Sequence, residues 1–161
     1  MTAKDALSLD ATDLRLLSLL QEAGRVGYQE LGEAVGLSGP STYQRVRKLE
    51  AARVITGYHA RVDPARLGRG LVAFLRVRPG SGDAGRLVKQ WSAAGEILEC
   101  HRLSADGGFL LKLRVREVAA LLPHVVAVQK AGCAVQVDIA LCTEFERWTL
   151  AASDAVRPGS H

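Results

Sequence analysis

The chain has 161 residues, is 48% hydrophobic and 24% charged, and carries a net charge of +4. This suits one ordinary domain or two small ones with a real core, and an ordinary charge content excludes wholesale disorder. Cys100, Cys133 and Cys142 lack paired metal spacing, and there is no apolar signal core or membrane-length apolar run, so a soluble, cytoplasmic protein without a membrane partner is expected.

The charge is unevenly placed. Up to Leu37 the acids Asp5, Asp10, Asp13, Glu22, Glu30 and Glu33 outnumber Lys4, Arg15 and Arg25. From Ser38 to Arg78 the bases Arg45, Arg47, Lys48, Arg53, Arg61, Arg66, Arg69, Arg76 and Arg78 face only Glu50 and Asp63. The basic region therefore begins at "LSGPSTYQRVRKLE", where an anionic partner would be met.

Three helices are predicted within residues 10–54. Asp10 caps the first, with Asp13 in its first turn; Leu14, Leu16, Leu17 and Leu20 recur at helical spacing, and Gly24 marks the stop. Leu31, Ala34 and Val35 give the second an apolar side, and Gly36 ends it. Ser38 caps the third, and Pro40 is tolerated in its first turn, where backbone N–H groups lack helical partners. In that third helix Thr42, Val46 and Leu49 share one face. Ser41, Gln44, Arg45 and Lys48 share another, flanked by Tyr43 and Arg47. With the short turn Gly36-Leu37 before it, the arrangement is that of a helix-turn-helix, whose second helix enters the major groove.

"ITGYHARVDPARLG" reads as a linker over residues 55–70 with a short strand ending at Asp63-Pro64. From Leu71 the period becomes two. Leu71, Ala73, Leu75 and Val77 form one side of a strand; Asp83 caps a helix with Leu87, Val88 and Trp91 on one face, closed by Gly95. Two strands, "EILECHRL" and "FLLKLRV", flank Ser104-Ala105-Asp106-Gly107-Gly108. A helix near residues 117–128 should kink or restart at Pro123. A last strand places Val135, Val137, Ile139 and Leu141 on one side. The order βαββαβ is the ferredoxin-like arrangement, whose open sheet face can pair with a second copy.

With "LDATDLRLLSLLQEAGR", "ELGEAVGLS", "RVRKLEAARVITGYHARVDPARLG" and "ECHRLSADGGFLLKLRV" in this order, the chain resembles the Lrp/AsnC (feast/famine) transcriptional regulators over about residues 9–148. The resemblance implies an α+β protein: a helix-turn-helix DNA-binding domain (1–54), the linker (55–70) and a ferredoxin-like βαββαβ effector-binding and oligomerisation domain of the RAM/AsnC type (71–150). Residues 151–161 are expected to form a flexible tail. It further implies double-stranded DNA as partner, homodimers assembling to octamers, and an amino acid effector.

Carried onto this chain, the DNA-binding residues are Ser38, Pro40, Ser41, Tyr43, Gln44, Arg45, Arg47 and Lys48. Arg45 and Lys48 suit guanine O6/N7 or a phosphate, Gln44 suits adenine N6/N7, and Ser38 serves first as a cap. The effector-binding residues are Leu103, Ser104, Asp106, Gly107 and Gly108. Here the family's Gly-Asp-x-Asp-Tyr turn reads Ala105-Asp106-Gly107-Gly108-Phe109, which keeps one carboxylate and leaves open a different effector or none. The family's glycine after the recognition helix is Arg53, so the helix end differs or a left-handed conformation is accepted.

No catalytic residue, cofactor or metal is expected. Cys100 and His101, as neighbours on a strand, face opposite ways, and Cys133 and Cys142 read as small core residues. The expected function is a sequence-specific DNA-binding transcriptional regulator tuned by a small effector and associated with the nucleoid. The alternatives are an architectural nucleoid protein and an AsnC-like haem-precursor decarboxylase. The latter needs His101 or His124, and neither has an acid at a telling spacing.

Overall fold

A computed structural model describes residues 8–80, 84–104 and 107–150. They fall into two compact units, one of residues 8–61 with 145–150 and one within Val62–Glu144. The sheet-bearing unit thus begins within the expected linker and gives the chain back to the helical unit at Phe145. The Asp83 cap, Asp106 and the tail from residue 151 lie outside the described residues.

In the helical unit, α1 (Ala11–Glu22), α2 (Tyr28–Val35) and α3 (Gly39–Ala51) follow the expected bounds closely. Asp10 and Asp13 form a reciprocal capping box on α1: Asp13 N–H donates to Asp10 at 2.8 Å and Asp10 N–H to Asp13 at 3.1 Å. Leu16, Leu31, Thr42, Val46 and Leu49 make the core, each at most 1% exposed. Of the leucines expected to line α1, only Leu16 is fully buried, and Ala34 of α2 is exposed. A three-helix unit this small has little interior to offer. After the last strand the chain returns to α1, where the Gln21 side chain pairs with both backbone groups of Leu150, at 2.7 and 3.1 Å.

The other unit holds β1 (Leu71–Arg78), α4 (Ala84–Ser92), β2 (Ile97–Arg102), β3 (Phe109–Val115), α5 (Leu122–Lys130) and β4 (Ala134–Ile139). The strands form one antiparallel sheet in the order β2-β3-β1-β4, the order of the ferredoxin-like fold. Ala73, Leu75 and Val77 stand opposite Leu113, Leu111 and Phe109, on the face where Leu87, Trp91, Leu121 and Val128 complete the core. Pro123 acts as expected: a 3-10 turn over Val118–Leu121 ends, and α5 restarts with the proline in its first turn.

Three expectations are corrected. The segment between Ile55 and Asp63 contains no strand, because it has no ladder partner among the described residues. β4 ends at Ile139; Val137 and Ile139 remain 37% and 41% exposed and Leu141 fully so, since an edge strand has a neighbour on one side only. Cys133 is buried, whereas Cys142, beyond the end of β4, is exposed and donates its thiol hydrogen to Glu144 at 2.9 Å.

Candidate nucleic-acid interface

The turn into α3 is built for a close approach. Gly36 adopts φ +72°, and both its N–H and that of Leu37 bond to the Gly32 carbonyl. A Cβ on Gly32 would lie 2.5 Å from the Leu37 carbonyl oxygen and 2.9 Å from Thr42 Oγ1, so only glycine lets the helices meet here. The sequence reading passed over Gly32, because a glycine inside a helix looks merely unfavourable.

Ser38 caps α3 through Ser41 N–H, and the two hydroxyls are 2.9 Å apart. Thr42, fully buried, donates its hydroxyl to the Ser38 carbonyl at 3.0 Å, which satisfies a polar group in the core. With Val46 and Leu49 it fastens α3 to α1 and α2. Burying a side chain of that kind contributes about 1.5–3 kcal/mol. Pro40, Ser41, Tyr43, Gln44, Arg47 and Lys48 are exposed along the other sides. Gln44 and Lys48 make no side-chain hydrogen bond or ion pair among the described residues.

Arg45 is placed differently from its neighbours. Its Nη1 lies 2.7 Å from Asp10 and 2.8 Å from Asp13, so the guanidinium spans the capping box of α1. Asp10 has its pKa lowered, first by the Asp13 backbone N–H and then by Arg45, and the Arg45 pKa is raised by the same two acids. Arg47 in turn donates to Glu50 at 3.1 Å, and Glu50 also accepts the Tyr58 hydroxyl at 3.0 Å. Tyr43 meets Tyr28, the first residue of α2, edge to face at 5.2 Å, an exposed aromatic pair absent from the sequence reading.

Arg53 ends the segment in a left-handed conformation, φ +57°, the only described non-glycine residue with positive φ. This turns the Val54 and Ile55 N–H groups back onto the Leu49 carbonyl, so the strain is accepted rather than avoided.

Of the effector set, Leu103, Ser104, Gly107 and Gly108 lie together at the β2–β3 hairpin, closed by Leu103 N–H on the Gly108 carbonyl at 2.8 Å. Gly107 has φ +61°, and a Cβ on Gly108 would lie 2.9 Å from the Val77 carbonyl oxygen. Both glycines therefore answer to backbone geometry first.

Cys100 and His101 do face opposite ways, opposite Leu111 and Leu110 respectively. His101 has an acid beside it that its spacing did not announce: Glu99 lies 3.0 Å from its Nε2 and 3.2 Å from Lys112 Nζ. Residues two apart on a strand share a face. These contacts lower the Glu99 pKa, the His101 hydrogen bond most. Among the described residues no group of three or more His, Cys, Asp or Glu is placed to hold a metal, and no helix is long and apolar enough to cross a membrane.

A capped recognition helix fastened by one face, followed by a ferredoxin-like sheet unit, defines a two-part helix-turn-helix protein. The AsnC-type helix-turn-helix domain matches residues 9–50. The leucine-responsive regulatory protein of Salmonella typhimurium is 39% identical over 116 residues, covering 70% of each chain. The Bkd operon transcriptional regulator of Pseudomonas aeruginosa is 34% identical over 115 residues, 70% of this chain and 75% of that one. A transcriptional regulator of Neisseria meningitidis solved with L-methionine superposes with a TM-score of 0.83 at 27% identity, over 92% of this chain and all of the other. The chain belongs to the Lrp/AsnC family of DNA-binding transcriptional regulators.

Proposed function

We propose that α3 lies in the major groove, with Gln44 and Lys48 turned to base edges and Ser38, Pro40, Ser41, Tyr43 and Arg47 set against the sugar-phosphate backbone. The observation that carries this is the sorting of one helix: Thr42, Val46 and Leu49 are at most 1% exposed, while Gln44 and Lys48 stand open and uncommitted. Arg45 contributes partly through its hold on α1.

The protein acts as a homodimer in the cytoplasm, on the nucleoid. Its two recognition helices enter successive grooves about 34 Å apart. The open sheet face supports pairing of two copies: Phe74 and Leu110, both only partly buried, lie there among Arg76 and Lys112. Dimers assemble further, to octamers, and an amino acid bound at the Leu103–Gly108 hairpin shifts that assembly. The methionine bound by the Neisseria relative supports this class of effector.

The test is binding to the protein's own promoter DNA and to random duplex across a salt series, with sedimentation in the presence and absence of methionine and leucine. Equal affinity for both duplexes at every salt concentration would replace the sequence-specific reading with an architectural one. Unchanged assembly and no amino acid binding would remove the effector.

A further inference from the structure

We infer that Tyr58, in the segment leaving α3, is a positioning residue for DNA binding: through Glu50 it holds the Arg47 guanidinium on the exposed side of the recognition helix. The inference rests on the groove placement of α3 proposed above.

Glu50 is the centre of the arrangement. One carboxylate oxygen accepts the Tyr58 hydroxyl at 3.0 Å and the other accepts Arg47 Nη1 at 3.1 Å. The Glu50 side chain is 24% exposed, that of Arg47 61%. An exposed Arg–Glu pair three residues apart on a helix holds little by itself, because two long side chains must surrender their freedom together. Here the acid is pinned from its other side, so less freedom remains to be lost. One of the five guanidinium N–H donors is used on Glu50, and the others stay available to a phosphate. An arginine ordered before DNA arrives loses less entropy on contact than one that is not.

The backbone explains how Tyr58 reaches a residue eight positions earlier. The left-handed turn at Arg53 sends Val54 and Ile55 back onto the Leu49 carbonyl, so the departing chain doubles back toward α3. Partial burial, then the hydrogen bond to Glu50, pushes the Tyr58 hydroxyl up to about 12, so it remains a donor throughout the neutral range. Tyr58 also lies just before the chain leaves the helical unit at Arg61.

The test is a double-mutant cycle on the full chain, read by fluorescence anisotropy with a labelled promoter duplex over a salt series. The variants are Tyr58→Phe, Arg47→Ala, Lys48→Ala, and Tyr58→Phe combined with each of the other two; thermal denaturation accompanies every one. Tyr58→Phe should weaken binding by about twofold to tenfold, keep the melting temperature, lose its effect in the Arg47→Ala background and retain it beside Lys48→Ala. A Tyr58→Phe effect of undiminished size beside Arg47→Ala, or no effect in the parent chain, overturns the relay alone. If Arg47→Ala and Lys48→Ala both leave affinity and salt slope untouched, the groove placement of α3 falls, and the relay falls with it.

Discussion

Arg45 of α3 and Asp13 of α1 lie 2.8 Å apart, and the same guanidinium nitrogen reaches Asp10 at 2.7 Å. A base expected to meet DNA therefore also ties the recognition helix to the start of the first helix. Asp13 keeps only 11% of its side chain exposed, so it depends on this partner more than a surface acid would.

Arg45→Ala should accordingly lower stability as well as DNA affinity. The loss expected in urea denaturation is about 1 kcal/mol, at the upper end for a partly exposed pair because two acids share one base. Lys48→Ala, whose side chain has no such partner among the described residues, should weaken DNA binding at unchanged stability. Equal urea midpoints for the two variants would show that the Arg45 contacts contribute nothing to the fold.

Asp10 supplies a pH signature. Its pKa is lower in the folded chain than the ordinary 3.8, so it takes up a proton less readily folded than unfolded. The stability it contributes is complete above the unfolded value and is lost as pH falls through the folded one. Urea midpoints of the parent chain should therefore drop more steeply than those of Asp10→Asn on acidification below about pH 4. Parallel curves would mean that the cap does not titrate with folding.

Gly32→Ala tests the close approach of α2 to the turn. The added methyl would stand 2.5 Å from a backbone oxygen, which cannot swing aside, so a loss of about 1–3 kcal/mol is expected by thermal denaturation. Gly24→Ala, in the turn after α1 with open space around its Cβ position, is the control for an added methyl that meets nothing. On helix preference alone Gly32→Ala would be stabilising, so the sign of the change decides between the two effects.

Arg53→Gly should raise stability. A left-handed conformation costs an L-residue roughly 1–2 kcal/mol, and the extra freedom of an unfolded glycine takes back about 0.5–1 kcal/mol. The net gain, up to about 1.5 kcal/mol, should appear as a higher melting temperature. A lower one would mean that the Arg53 side chain contributes more than its backbone strain removes.

Much of this protein is written in short-range patterns. The caps at Asp10 and Ser38, the stop at Gly36, the restart at Pro123 and the buried face of Thr42, Val46 and Leu49 each depend on residues within a turn or two of one another. The alternation along β1 and β3 likewise announces which side is apolar. Periodicity failed at β4, where alternation identified the inward side and said nothing of how far an edge strand would be covered.

By itself, then, the sequence determined the two-part architecture, the recognition helix and the surface that helix offers. Only the tertiary structure decided which charged groups on that surface are free. Arg45, Arg47 and Lys48 look alike along the chain, yet one is held by acids 32 and 35 positions away, one by an acid pinned from the following segment, and one by none of the described residues. Helical and strand periods arise from local backbone geometry, which composition and spacing express directly. The partner of a long, flexible cation is set by what the fold brings within about 3 Å of its tip, and chain separation carries no record of that distance.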